Sequence, residues 1–358
     1  MKYELAEDYV APQENALEAS KDSTKPQRTL WGDAFRRLRR NKLALIASVW
    51  IIFVVIIALS ADLWVPQTFG SPTDIDSSTS AARSLLPPRI KGLENLGIFD
   101  GTTDKKNLTT GEMEHINVYQ VNAEKYPNSG VQDEYHPFGT DLLGRDVMSR
   151  IIYGSRISLS VGLLATSIAV LIGLIMGAVA AYYGGIWDVL IMRLADIFLA
   201  FPYVLFVIAV LAVFGPGFQN VFLAIGILGW PSIARVFRSA ILSVKENDFI
   251  DAARAMGAGD WRIIVRHIFP NSVATIIVYA TMSIGGAILT ESALSFLGMG
   301  VQPPTPSWGY MISDGKTYLS TAPWLMMCPG LAILSTVLAF TVLGDGLRDA
   351  LDVKMKDA

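Results

Sequence analysis

Cysteine is almost missing from this chain, with Cys328 alone among 358 residues. A single thiol excludes an intrachain disulfide, and with it a small disulfide-stapled scaffold. Cys328 lies in an apolar run, where a packing role is expected rather than a redox one. Histidine is also scarce. Two of the three, His115 and His136, have acids nearby but no metal-ligand spacing. Charged residues make up only 17% of the chain. No apolar stretch lies near Met1, so a cleaved secretory signal is not expected. Residues 1–30 lack the apolar content for a core and read as a flexible tail. A phosphate-binding loop is missing as well. The nearest string, Gly309 to Gly315-Lys316-Thr317, has one residue too many between its glycines.

Apolar residues are abundant, at 52%, and the mean hydropathy is +0.41. That balance belongs to a polytopic membrane protein. A bilayer core about 30 Å thick needs roughly 20 apolar residues per helix. Six stretches qualify: 43–64, 157–182, 188–214, 218–242, 273–298 and 323–347. Pro202, Pro231 and Pro329 fall inside them and predict kinks, since each removes a backbone donor. The fold class predicted is an all-α polytopic membrane protein with six transmembrane helices. Its parts are a tail over 1–35, a first span with its basic flank over 36–64, an extracytoplasmic insert over 65–135, and a five-helix core over 136–358. Within the insert, Ile116–Val121 reads as a candidate strand. A second outer loop at 299–322, with its prolines and Trp308, reads as a packed cap.

Basic flanks set the orientation. Arg36, Arg37, Arg39, Arg40 and Lys42 precede the first span and place the N-terminus inside. Six spans return Arg348, Lys354 and Lys356 to the same side. The loop at 245–270 is then also inside, with Arg254, Arg262 and Arg266 in it.

That loop is the most informative segment. Asp248 is placed to cap a short helix, and Phe249, Ala252, Ala253 and Met256 follow at helical spacing on one face. Gly257 suits a left-handed helix end, and Asp260 opens a second helix stopped by Pro270. Physics alone leaves two readings open: a docking surface for another protein, or an interfacial helix lying on lipid. Within the spans, Arg193 and Asp196 can pair at i,i+3. Glu291 reads as an interfacial carboxylate near the outer end of the fifth span, with an outer-gate role as the alternative. Gly173 and Gly177 allow close helix approach, within the chain or to a partner. Arg145, Asp146, Arg150 and Arg156 suggest an outer interfacial helix before the second span.

Asp251-Ala252-Ala253, then Gly257, then His267-Ile268-Phe269-Pro270 resemble the EAA loop of ABC-transporter import permeases. Asp251 stands where that pattern has Glu, His267 where it has Ile, and Phe269 where it has Leu. Residues 136–159, 192–202, 291–312 and 343–352 are similar, in order, to the C-type permease of the dipeptide/oligopeptide/nickel branch. The resemblance covers about 31–355 apart from the insert near 65–130. It implies the ABC type I importer permease fold in a bacterial or archaeal cytoplasmic membrane, with both termini cytoplasmic. It also implies a second homologous permease, two cytoplasmic ABC ATPases, an extracytoplasmic substrate-binding protein and membrane lipid as partners. Nucleic acid is not among them. ATP and Mg belong on the ATPases, and this chain is expected to hold no cofactor, metal or catalytic residue. Phe249, Asp251, Ala252, Ala253, Met256 and Gly257 become the ATPase-coupling residues. Peptide is the cargo implied first, with nickel, glutathione and oligosaccharide on the same framework. The rival is a self-contained secondary transporter or channel running on Arg193, Asp196 and Glu291.

Overall fold

The computed structural model describes residues 30–73, 79–92, 100–106 and 113–351. The predicted tail lies outside them as far as residue 29, as do Lys354 and Lys356. Helices dominate: α1 Leu30–Arg40, α2 Lys42–Thr68, α3 Ser80–Arg83, α4 Val118–Lys125, α5 Val147–Tyr183, α6 Gly185–Ala200, α7 Tyr203–Phe214, α8 Phe218–Lys245, α9 Asp248–Ala255, α10 Asp260–Phe296, α11 Trp308–Gly315 and α12 Trp324–Leu351. One antiparallel hairpin, β1 Thr102–Lys106 with β2 Met113–Asn117, lies in the insert. The strand expected at Ile116–Val121 ends early, because Asn117 caps α4 by accepting from the Gln120 amide at 3.2 Å.

Among the described residues, five helices are long and apolar enough to cross a membrane: α2, α5, α8, α10 and α12. The sixth expected span is a broken pair. α6 and α7 meet at Phe201-Pro202 with an 87° bend. Proline disfavours helical geometry at the residue before it, and Phe201 is extended, with ψ 141°. Pro231 and Pro329, by contrast, sit inside uninterrupted helices.

The bundle centres on α5 and α8. A Cβ on Gly173 would stand 2.8 Å from Ile233 Cβ, and one on Gly177 2.7 Å from the Ala234 carbonyl oxygen. These glycines let α5 and α8 of one chain approach closely, so the pair is an intrachain seam. α2 packs through Ala44 and Ala47 near the end of α12, where Gly346 admits it, and through Ala61 and Val65 against Ile152 of α5.

No separate helix precedes the second span. Asp146 caps α5 directly, accepting from the Ser149 amide at 2.8 Å, and Arg150 and Arg156 lie within that helix. Both guanidinium groups find partners. Arg150 donates to the Pro72 carbonyl oxygen at 3.2 Å and stands 3.5 Å from Asp141. Arg156 pairs with Asp62 at 2.9 Å and also donates to the Ala58 carbonyl oxygen. The loop at 299–322 is a packed cap, as its composition suggests: Trp308 is buried and its indole donates to the Ile151 carbonyl oxygen at 2.9 Å.

Candidate functional site

α9 has eight residues, too few for a helix to persist alone in water. Docking supplies its stability. Ile250 is buried against Tyr182 of α5, Phe237 and Ile241 of α8, and Ile263 and Ile268 of α10, and Ala253, one turn on, is buried as well. Phe249, Asp251, Ala252 and Met256 face outward, with Phe249 at 43% and Met256 at 83% exposure. The single face expected from spacing is therefore divided. Ala253 belongs to the anchoring side, because a helix this close to the bundle needs a small residue there. Trp261, 77% exposed, extends the outward apolar surface. Asp251 pairs only loosely with Arg254, at 3.5 Å.

The caps also differ from expectation. Asn247, not Asp248, is the N-cap, and it makes no side-chain capping bond. Asp248 sits in the first turn, where a negative charge still complements the helix dipole. Gly257 takes φ +82° with nothing within 4 Å of a Cβ placed there. The Gly257 and Ala258 amides donate to the Arg254 and Ala253 carbonyl oxygens at 2.9 and 3.1 Å, closing the turn.

Pro270 does not stop the second helix. The chain runs from Asp260 to Phe296 through a π-helical turn at Ile264–Ile268. That wider turn just precedes the proline, whose ring removes a donor from the ladder. The segment from Asp260 and the following span are thereby one continuous rod.

Three side chains join the ends of the spans beside α9, and spacing alone does not reveal them. The Tyr182 hydroxyl donates to Asp260 at 2.6 Å. Lys245 donates to the Tyr182 carbonyl oxygen at 2.7 Å and lies 5.6 Å from the Tyr182 ring. Arg254 lies 5.9 Å from the same ring. The aromatic pair Tyr182-Tyr183 ahead of Gly184, at the end of a long apolar run, was the available signal.

The intramembrane polar residues separate into two places. Arg193 stands 3.7 Å from Asp196, but the tighter partner of Asp196 is Arg235 on α8. Asp188 and Arg238 add a second bridge, at 2.5 Å, between α6 and α8. Glu291 is elsewhere, fully buried between α10 and α5, within hydrogen-bond reach of the Ser158 hydroxyl at 3.1 Å and the Ser295 hydroxyl at 2.7 Å. It is neither interfacial nor open to an outer surface. Burial on all sides comes from a helix crossing that linear spacing does not report.

His115 contacts Asp104 at 2.6 Å on the surface. His136 is held on both ring nitrogens, by Asp146 at 2.7 Å and Glu134 at 3.2 Å. Burial acts to lower its pKa, but the hydrogen bonds and charges of Asp146 and Glu134 outweigh that and raise it to about 9. Glu134 moves the other way. Burial would raise it, yet His136 and Arg83 hold it down at about 2.

Comparison with known proteins places residues 169–357 in a match to the family described as binding-protein-dependent transport system inner membrane component. Residues 29–88 match the N-terminal transmembrane domain of oligopeptide transport permease C. The dipeptide transport system permease protein DppC of Alkalihalophilus pseudofirmus is 39% identical over 356 residues, covering 99% of this chain and 100% of that one. The glutathione transport system permease protein GsiD of Escherichia coli is 39% identical over 329 residues, covering 92% of each. An inward-facing structure of the MetNI methionine ABC transporter is similar over 57% of this chain and 97% of that one, with TM-score 0.48 and 19% identity.

Proposed function

The chain belongs to the family of binding-protein-dependent transport system inner membrane components, and on that premise we propose that it is the C-type permease subunit of a peptide importer, moved by partner ATPases through α9. It is an ABC importer permease of a bacterial inner membrane, with several membrane-crossing helices. Peptide is the proposed cargo because the full-length relatives are a dipeptide and a glutathione permease, and glutathione is itself a short peptide. The basic residues around α1 and α9 favour the cytoplasmic side for that end of the bundle. The insert and α11 then meet a substrate-binding protein on the other side. Two ATPases, carrying ATP and Mg, and a second permease complete the assembly.

The observation that carries the reading is the division of α9 into two faces. One, Ile250 and Ala253, is locked into the bundle; the other, Phe249, Ala252 and Met256, presents apolar groups outward. A partner seated on the outward face can displace α9 only by displacing what it is tied to. Arg254 of α9 lies over the Tyr182 ring of α5, and Tyr182 is in turn bonded to Asp260 of α10 and Lys245 of α8, so the motion passes to three spans. This chain's part is mechanical, and ATP hydrolysis is assigned to the partners.

A cysteine at Met256, crosslinked in native membranes, is expected to capture a nucleotide-hydrolysing protein. A cysteine at exposed Leu142, at the opposite end, is expected not to. Capture from Leu142 but not from Met256 would reverse the orientation and end this reading. The rival built on Arg193, Asp196 and Glu291 is weakened by their placement, since Asp196 is committed to Arg235 and Glu291 to serine hydroxyls.

A further inference from the structure

Glu291 is fully buried, yet the groups that meet it are hydroxyls. Ser158 of α5 reaches Oε2 at 3.1 Å, and Ser295, one turn along α10, reaches Oε1 at 2.7 Å. Ser307, which caps α11, touches Ser295 at 3.4 Å. The Ser292 hydroxyl is buried beside them with no hydrogen-bond partner. Among the described residues, no Lys, Arg or His pairs with Glu291.

The surroundings are also tightly filled. A Cβ on Gly300 would fall on the Ser295 hydroxyl, and one on Gly309 would lie 2.4 Å from the Ser292 carbonyl oxygen. Ile288, one turn before Glu291 on α10, and Trp308 of α11 are themselves buried in one apolar cluster. At 0% exposure, Glu291 is out of reach of ions in solvent. An ionised carboxylate buried without a cation is the costly case, whereas the protonated acid carries no net charge. Serine hydroxyls suit the acid, because each can donate or accept by rotating. The acid proton goes to Ser158 or Ser295, and the second oxygen accepts from the other.

We propose that Glu291 is a neutral carboxylic acid that latches α5, α10 and the start of α11 together near the insert end of the bundle. It is a positioning residue: Glu291 holds Ser158 on one span, and Ser295 hands the link to the cap of α11. The latch holds while the site stays dry. Separation of α5 from α10 would admit water and let the acid ionise, so closure of this corner is tied to holding one proton.

The test uses the full-length chain in its assembled transporter in membranes. Infrared difference spectra of wild type against Glu291→Gln at neutral pH are expected to show a protonated carboxyl carbonyl band that the variant lacks. This arm does not depend on the transported solute. Glu291→Gln keeps the shape, a donor and an acceptor, and is expected to retain most uptake. Glu291→Ala strands the serine hydroxyls and is expected to lose at least about tenfold in uptake or in folded yield. Two results would overturn the proposal. One is a difference spectrum showing an ionised carboxylate in the wild type. The other is a well-assembled Glu291→Gln transporter as inactive as Glu291→Ala.

Discussion

At the scale of single residues, charge and conformation set the sharpest expectations. His136 holds its proton to about pH 9, against an ordinary value of 6.5, because two carboxylates accept from its ring. A proton bound more tightly in the folded state stabilises it fully below pH 6.5, and that contribution is lost as the pH rises through about 9. Glu134 works in the opposite sense, contributing fully above 4.5 and losing its contribution as the pH falls through about 2. The thermal stability of the detergent-solubilised chain should therefore fall between pH 6.5 and 9. The slope from this one group is at most about 1.4 kcal/mol per pH unit. In His136→Gln that part of the slope should vanish when melting is followed across the same range. Gly257 is the second case. Its φ of +82° costs another residue about 1–2 kcal/mol, although open space surrounds it. Gly257→Trp should insert and assemble normally yet lose most ATP-driven uptake, measured in vesicles alongside ATPase activity. Normal uptake in that variant would sink the coupling assignment.

At the scale of elements, close packing decides. Leucine at Gly173 would drive a side chain into Ile233 of α8. Overpacking of this kind costs about 1–3 kcal/mol. Gly173→Leu should lower the melting temperature clearly, while Gly286→Leu, with nothing within 4 Å of its Cβ, should not. Melting both variants in the same detergent makes the comparison. The spans themselves were legible to within a few residues at most ends, because long apolar runs have few alternatives in a bilayer. Their boundaries with polar segments were harder. Arg150 and Arg156 looked like markers of a separate helix, but Asp141, nine residues upstream and shared with Arg145, and Asp62 of α2 pair with them within α5. Pro270 looked like a stop, but a π-helical turn absorbs it. Pro202 signalled a bend, yet its 87° angle follows from how α7 packs on α8.

At the scale of the whole molecule, the proposed coupling role gives the bundle a continuous path from α9 to the insert. α5 runs its full 37 residues between the Tyr182 tether and the Asp146 cap, so the two ends of the bundle are joined by one helix. A transporter built this way needs its motor. Reconstituted alone in liposomes, the chain should neither hydrolyse ATP nor accumulate a dipeptide; adding its ATPases, second permease and binding protein should produce both. Gradient-driven uptake by the lone chain would instead favour a self-contained carrier.

Composition and periodicity were enough to determine a membrane protein of several helices, a short amphipathic helix between two of its spans, and the glycine that ends it. Those are local properties: hydrocarbon length, helical spacing and backbone freedom belong to contiguous residues. Which side of α9 is anchored, where Asp196 finds its counter-charge and how Glu291 comes to be sealed among serines were decided only in three dimensions. Each depends on partners tens to more than a hundred positions away, brought into reach by helices crossing at angles that no single segment encodes.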